Sequence, residues 1–151
     1  MNTLKLSILV CNENPYKKSV AEALQKSLAT LGIKATISIK NKADYLNALE
    51  EGYYEIYIGE IELPADGDLT EFFVADGQVN YGIAEKTGVL YDNFKKGDVN
   101  MTEFIENFNL QVPFAPLFYR KSVMSVNPAI SGITTNEGDV YLSASDWRVK
   151  K

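Results

Sequence analysis

Four carboxylates and several aromatic rings crowd one stretch of this chain. A strand-like run, Tyr54-Glu55-Ile56-Tyr57-Ile58, stops at Gly59, and Glu60, Glu62, Asp66 and Asp68 follow it. Phe72, Phe73, Asn80, Tyr81 and Gly82 come next. Clustered carboxylates suit three kinds of chemistry: gathering a hard cation, acid–base catalysis in pairs, or anchoring the ammonium of a ligand. The spacing of a calcium loop, with alternating acids closing on a distant glutamate, is absent, and Asp66-Gly67-Asp68 also reads as a solvated turn. A metal-dependent transferase using Asp66 and Asp68 is the reading that keeps the cation. Catalysis lacks other parts. The chain has no histidine, so Ser125, Ser143 and Ser145 have no imidazole base, and the loop from Gly59 to Gly82 has no cysteine, serine or lysine. The stretch is suited to holding a ligand rather than reacting with it.

Within that reading Asp68 is the charge anchor and Asn80 a polar orienting group. Phe72 and Tyr81 supply apolar walls, and Glu60 completes the set. Asp68-Leu69-Thr70-Glu71 also fits a helix-capping pattern, with Phe72 and Phe73 packing the helix that Asp68 caps. Both uses of Asp68 stay open.

The elements before this stretch must position it. Leu4 to Val10 reads as a first strand. Asn14-Pro15 opens a helix whose Val20, Leu24, Leu28 and Leu31 share a face, and Gly32 ends it. Ile33, Ala35, Ile37 and Ile39 alternate with polar residues, as an edge strand with one wet face does. Asn41 caps a second helix through Tyr45, Leu46 and Leu49, ending at Gly52, before the third strand at Tyr54 to Ile58. Strand, helix, strand, helix, strand predicts right-handed crossovers and a parallel sheet. With the alternating strand at the edge, the order begins 2-1-3. The ligand crevice then lies at the carboxyl ends of strands one and three, beside Cys11-Asn12-Glu13-Asn14 and the loop from Gly59.

Beyond Gly82 the pattern predicts a helix over 84–95, with Gly88 a weak point inside it. Asn100-Met101-Thr102-Glu103 is a capping box, opening a helix with Met101, Phe104, Ile105 and Phe108 on one face. Phe114 to Lys121 and Val123 to Val126 read as strand segments, the first kinked or at an edge because of Pro116. A loop-rich tail follows from Asn127.

The 151 residues carry a net charge of -5, with the basic residues scattered. That argues against nucleic acid as a partner, since phosphate contacts need clustered Lys and Arg. No apolar run reaches the length of a membrane span. The lone Cys11 excludes an intrachain disulfide and reads as a buried, inert thiol. No metal or other cofactor is expected.

Taken in order, several segments resemble the C-terminal lobe of bacterial extracellular solute-binding proteins of family 5, the peptide- and nickel-binding receptors of ABC importers. The residues are Asn14-Pro15-Tyr16-Lys17-Lys18 through Gly32-Ile33-Lys34, Tyr45-Leu46-Asn47-Ala48-Leu49, Gly52-Tyr53-Tyr54-Glu55-Ile56, Asp68-Leu69-Thr70-Glu71-Phe72-Phe73 with Asn80-Tyr81-Gly82, and Val112-Pro113-Phe114-Ala115-Pro116-Leu117-Phe118-Tyr119-Arg120. The resemblance implies an α/β, periplasmic-binding-protein-like (type II) single lobe with a mostly parallel sheet beginning 2-1-3, flanked by helices. It also implies a non-enzymatic role, receiving a peptide or small-molecule ligand and passing it to a membrane permease. In peptide-binding members an aspartate of the cleft segment takes the ligand's terminal ammonium, and Asp68 matches that position best.

The resemblance further implies residues 1–126 as the lobe, and 127–151 as a segment returning to an N-terminal lobe that this sequence lacks. The full-length protein would be periplasmic or extracellular and membrane-anchored, as a lipoprotein. Without its other lobe, the chain is expected to fold Trp147, Val149 or Tyr141 back onto itself, or to self-associate through them. The alternative is a ligand-sensing module of a transcriptional regulator, attached to a DNA-binding domain.

Overall fold

The computed structural model describes residues 4–64, 66–74, 77, 79–119, 124–134, 141 and 143–149. Chain contacts divide it into two compact units, residues 1–61 with 78–82, and residues 62–77 with 83–151.

The first unit is built on a central strand buried on both faces. β1 (Lys5–Cys11) lies between β2 (Lys34–Lys40) and β3 (Ile56–Tyr57), parallel to both, in the order 2-1-3. Two helices make the crossovers, α1 (Pro15–Thr30) and α2 (Lys42–Glu50). Because side chains alternate along a strand, β1 serves two cores. Ile8 and Val10 pack with Ala21 of α1, Ala35 and Ile58, while Leu9 and Cys11 pack with Tyr45, Ala48 and Leu49 of α2. The Cys11 thiol is buried, as its place at the end of an apolar strand predicts.

The helix starts fall where the asparagines set them. The Asn14 side chain accepts from the Tyr16 N–H at 3.0 Å, with Pro15 in the first turn. Asn41 accepts from the Asp44 N–H at 2.9 Å. Each side-chain oxygen satisfies an N–H that has no partner within the helix. β3 is shorter than the run from Tyr54 to Ile58, because regular pairing with β1 covers only Ile56 and Tyr57. The Ile58 N–H still reaches the Leu9 carbonyl at 3.1 Å.

The second unit has its core on helices. A short α3 (Thr70–Phe73) precedes α4 (Glu85–Lys96) and α5 (Met101–Gln111). Phe73, Tyr91 and Phe104 form its buried centre, flanked by Phe72, Phe94, Phe108 and Phe114. Asn100 caps α5 by accepting from the Glu103 N–H at 3.0 Å. Two sequence expectations are corrected here. Phe104 and Phe108 face the core, but Met101 and Ile105 are exposed, so the apolar face of α5 is narrower than its sequence suggests. Residues 112–119 and 124–126 form no strand; Arg120, Lys121 and Val123 lie outside the described residues. Pro113 and Pro116 have no N–H to give a ladder, and Phe114 is instead taken up by the aromatic core.

Among the described residues of the tail, β4 (Ile130–Ser131) pairs antiparallel with β5 (Arg148–Val149), matching Ile130 to Val149. A 3-10 turn over Ala144–Asp146 leads into β5. The Trp147 indole N–H donates to the Ser143 hydroxyl at 3.1 Å, which itself accepts from the Thr134 N–H and donates to the Thr134 carbonyl. No helix among the described residues is long and apolar enough to cross a membrane.

Candidate functional site

The five residues singled out by the sequence fall in both units: Glu60, Asn80 and Tyr81 in the first, Asp68 and Phe72 in the second.

In the first unit, the strand order places a switch point between β1 and β3, and Glu60 lies just past the carboxyl end of β3. The Asn14 amide that caps α1 through its oxygen uses its nitrogen to donate to Glu60 Oε2 at 2.7 Å. Lys17 Nζ stands 3.7 Å from Glu60 Oε1 and 5.8 Å from the centre of the Tyr45 ring. The Lys17 side chain is 14% exposed and that of Glu60 54%, so the carboxylate faces outward over a largely covered ammonium.

Tyrosines line the same end of the sheet. The Tyr45 hydroxyl donates to the Ile58 carbonyl at 3.1 Å, and that of Tyr57 to the Val79 carbonyl at 3.0 Å. Tyr57 meets Tyr54 and Tyr81 edge to face, with centroids 5.2 and 6.3 Å away. Burial, chiefly, pushes the Tyr57 phenol up to about 12, with the Tyr54 and Tyr81 phenols adding to it. Burial raises Tyr45 as well, helped by Tyr57, Cys11, Tyr81 and Glu60. Glu60 and Tyr81 are thus brought together around Tyr45, and Asn80 sits half-buried beside Tyr81 in the chain.

In the second unit, Asp68 Oδ1 accepts from the Thr70 hydroxyl at 2.6 Å, the Tyr91 hydroxyl at 2.7 Å and the Thr70 N–H at 3.0 Å, with Lys95 Nζ 3.5 Å away. Lys95 Nζ lies 3.4 Å from Oδ2 and 2.9 Å from the Thr70 hydroxyl. These donors hold the Asp68 carboxyl well below the usual carboxylate range, the Thr70 and Tyr91 hydroxyls contributing most. Asp68 thus binds the Thr70 N–H and hydroxyl at the start of α3, one residue ahead of its N-cap, Leu69, which has no side-chain cap of its own. Phe72, on that helix, is half-buried and stacks on Phe114 with centroids 4.4 Å apart. Asp66 Oδ1 accepts from the Asp68 N–H at 3.0 Å, an Asx turn. Among the described residues no three acidic, thiol or imidazole groups converge as metal ligands would.

Lys17, Tyr45, Tyr57, Tyr91 and Lys95 belong to these clusters but do not stand out in the sequence. Two had a signal. Tyr91 and Lys95 are four residues apart on α4, hence on one face. Tyr57 had none, because its partner is 22 residues away in an irregular segment.

No protein-family model and no curated protein matches this chain. Among solved structures it is similar to the PBP AgaA of A. tumefaciens R10 in complex with agropinic acid. The TM-score is 0.58 and the identity 17%, over 99% of this chain and 34% of that one. This chain therefore spans about a third of the AgaA chain. The likeness establishes the fold as periplasmic-binding-protein-like.

Proposed function

We propose that this chain is one ligand-binding lobe of an ABC-importer substrate-binding protein, of family 5, with peptides as its ligands. The observation that carries the reading is the parallel 2-1-3 sheet, whose β1 and β3 carboxyl ends present Glu60 with Asn14, Lys17 and a tyrosine cluster. Open α/β sheets bind ligands at that place. The fold shared with a ligand-bound solute-binding protein supports it.

In this reading Glu60 offers a fixed negative charge, Asn80 a polar contact and Tyr81 an apolar wall. Taken by itself, the second unit offers Asp68 Oδ2 to an ammonium, with Lys95 as the competing cation and Phe72 on the helix that follows. No step of bond making is involved: the ligand is held, covered by an N-terminal lobe and released to a permease. The intact protein is placed outside the cytoplasmic membrane, anchored or periplasmic.

A single lobe supplies one wall, so its own affinity is weak. Titration of the chain with tri-alanine, followed by amide chemical shifts, tests the reading. Saturable shifts confined to Asn14, Glu60, Asn80 and Tyr81 of the first unit, with a Kd on the order of millimolar, support it. Agropinic acid serves as the competing ligand class. Shifts with agropinic acid and none with the peptide overturn the peptide assignment, and no shifts with either overturn the binding role.

A further inference from the structure

We infer that Tyr57 is a positioning residue for the ligand site: its hydroxyl, bonded to the Val79 carbonyl, fixes where Asn80 and Tyr81 stand. The inference rests on the reading above for the importance of those two residues, and on geometry for the rest.

Residues 79–82 contain no helix or strand, so no ladder of backbone bonds holds them in place. Yet they belong to the first unit, although the residues on either side in sequence belong to the second. Two contacts tie them to Tyr57, at the end of β3. The Tyr57 hydroxyl donates to the buried Val79 carbonyl at 3.0 Å. The Tyr57 ring meets the Tyr81 ring edge to face, at 6.3 Å between centroids and 89° between planes. At the far end, Gly82 adopts φ +77°, and a Cβ there would stand 3.0 Å from the Tyr54 hydroxyl. Tyr57 makes both of these contacts to β3. It also lies on β3 opposite Leu9 of β1, the most deeply buried strand of the unit, so the segment inherits the strand's placement.

The hydroxyl matters separately from the ring. A buried carbonyl that loses its donor must find water or move. Tyr57→Phe keeps the ring contacts with Tyr54 and Tyr81 and removes only that donor.

Amide hydrogen exchange on the whole chain tests this. In Tyr57→Phe the amides of Asn80, Tyr81 and Gly82 are expected to exchange about tenfold faster, while Ile8 to Val10 keep their rates. Ile37→Val, which loosens the opposite side of the sheet, is the comparison for general destabilisation. Equal patterns in the two variants, or a change below about twofold at 80–82, overturn the inference. The ligand reading is judged apart from this by the tri-alanine titration of the unaltered chain, so either can fail alone.

Discussion

The Tyr91 hydroxyl donates to Asp68 Oδ1 at 2.7 Å while accepting from the Leu69 N–H at 2.9 Å, so one phenol on α4 closes the start of α3 from two sides. The arrangement joins the residue ahead of the α3 N-cap to a helix that follows it by more than twenty positions. It predicts that Tyr91→Phe loosens α3 although the ring stays in the core. The Leu69 N–H left without its acceptor costs about 1 kcal/mol, read as a lower denaturant midpoint with an unchanged m-value. The Asp68 carboxyl should move back up toward its ordinary value in the same variant. Unchanged stability together with an unchanged Asp68 titration would refute the double role of Tyr91.

The Asp68 carboxyl itself predicts an acid-side effect. Its folded value lies below the ordinary 3.8, so the folded state binds the proton less readily than the unfolded chain. Its contribution to stability is therefore complete above about pH 5, and falls as the pH drops through 3.8 toward the lowered folded value. Asp68→Asn should lower stability at pH 7 and flatten its decline between about pH 5 and the lowered folded value. Thermal melts of both proteins across that range measure it. Parallel curves would show that the Thr70 and Tyr91 hydroxyls do not favour the charged form.

At the alkaline end the sign reverses. Tyr57 titrates near 12 in the folded chain against 10.0 for a free phenol, and Tyr45 is raised too. Their neutral forms are the ones the fold favours, so this contribution is whole below 10 and is lost as the pH rises through 12. Phenolate absorbance should show Tyr45 and Tyr57 ionising last in the native protein, after Tyr54 and Tyr91, which are also raised, and all joining the rest in denaturant. Titration of all tyrosines together in the native protein would contradict the burial of Tyr45 and Tyr57.

How much of this was legible follows from the range of the contacts involved. Asn14, Asn41 and Asn100 act on N–H groups two or three residues away, and each helix began where its asparagine indicated. The wet alternation from Lys34 to Lys40 marked an edge strand, and that fixed the sheet order. The span of β3 depends on how far β1 continues beside it, which its own residues do not record. The extended look of Phe114 to Tyr119 misled for a related reason: apolar and β-prone residues also serve an irregular segment that lends one ring, Phe114, to a helical core. At the candidate site, Asp68 was readable as both cap and anchor, but Tyr91, Lys95 and Tyr57 reach their partners across more than twenty residues.

Gly88 illustrates the same limit and yields a prediction. Inside α4 it reads as a fault, since glycine costs a helix interior about 1 kcal/mol relative to alanine. A Cβ at that position would stand 2.7 Å from the Phe73 carbonyl oxygen, so the glycine is what allows α4 to lie against the end of α3. Gly88→Ala should therefore destabilise the protein by about 1–2 kcal/mol, the backbone clash outweighing the gain in helix propensity. Chemical denaturation settles the sign, and a stabilised variant would mean that α3 withdraws at no cost.

Val112 presents the opposite case, a side chain where none is wanted. It follows α5 in the left-handed region, at φ 43° and ψ 58°, with its N–H donating to the Phe108 carbonyl at 2.8 Å. This is the conformation that usually closes a helix on glycine or asparagine. A β-branched residue pays for it with a clash between its Cβ and the following carbonyl, about 1–2 kcal/mol, and Pro113 narrows its alternatives further. The side chain is 64% exposed, so little packing is lost on removing it. Val112→Asn should stabilise the protein by roughly 1 kcal/mol, and Val112→Gly by less, because glycine gives back part of the gain as unfolded-state entropy. Melting temperatures of the two variants against the parent test both the sign and the order. A loss in both would show that Val112 makes contacts worth more than its backbone strain.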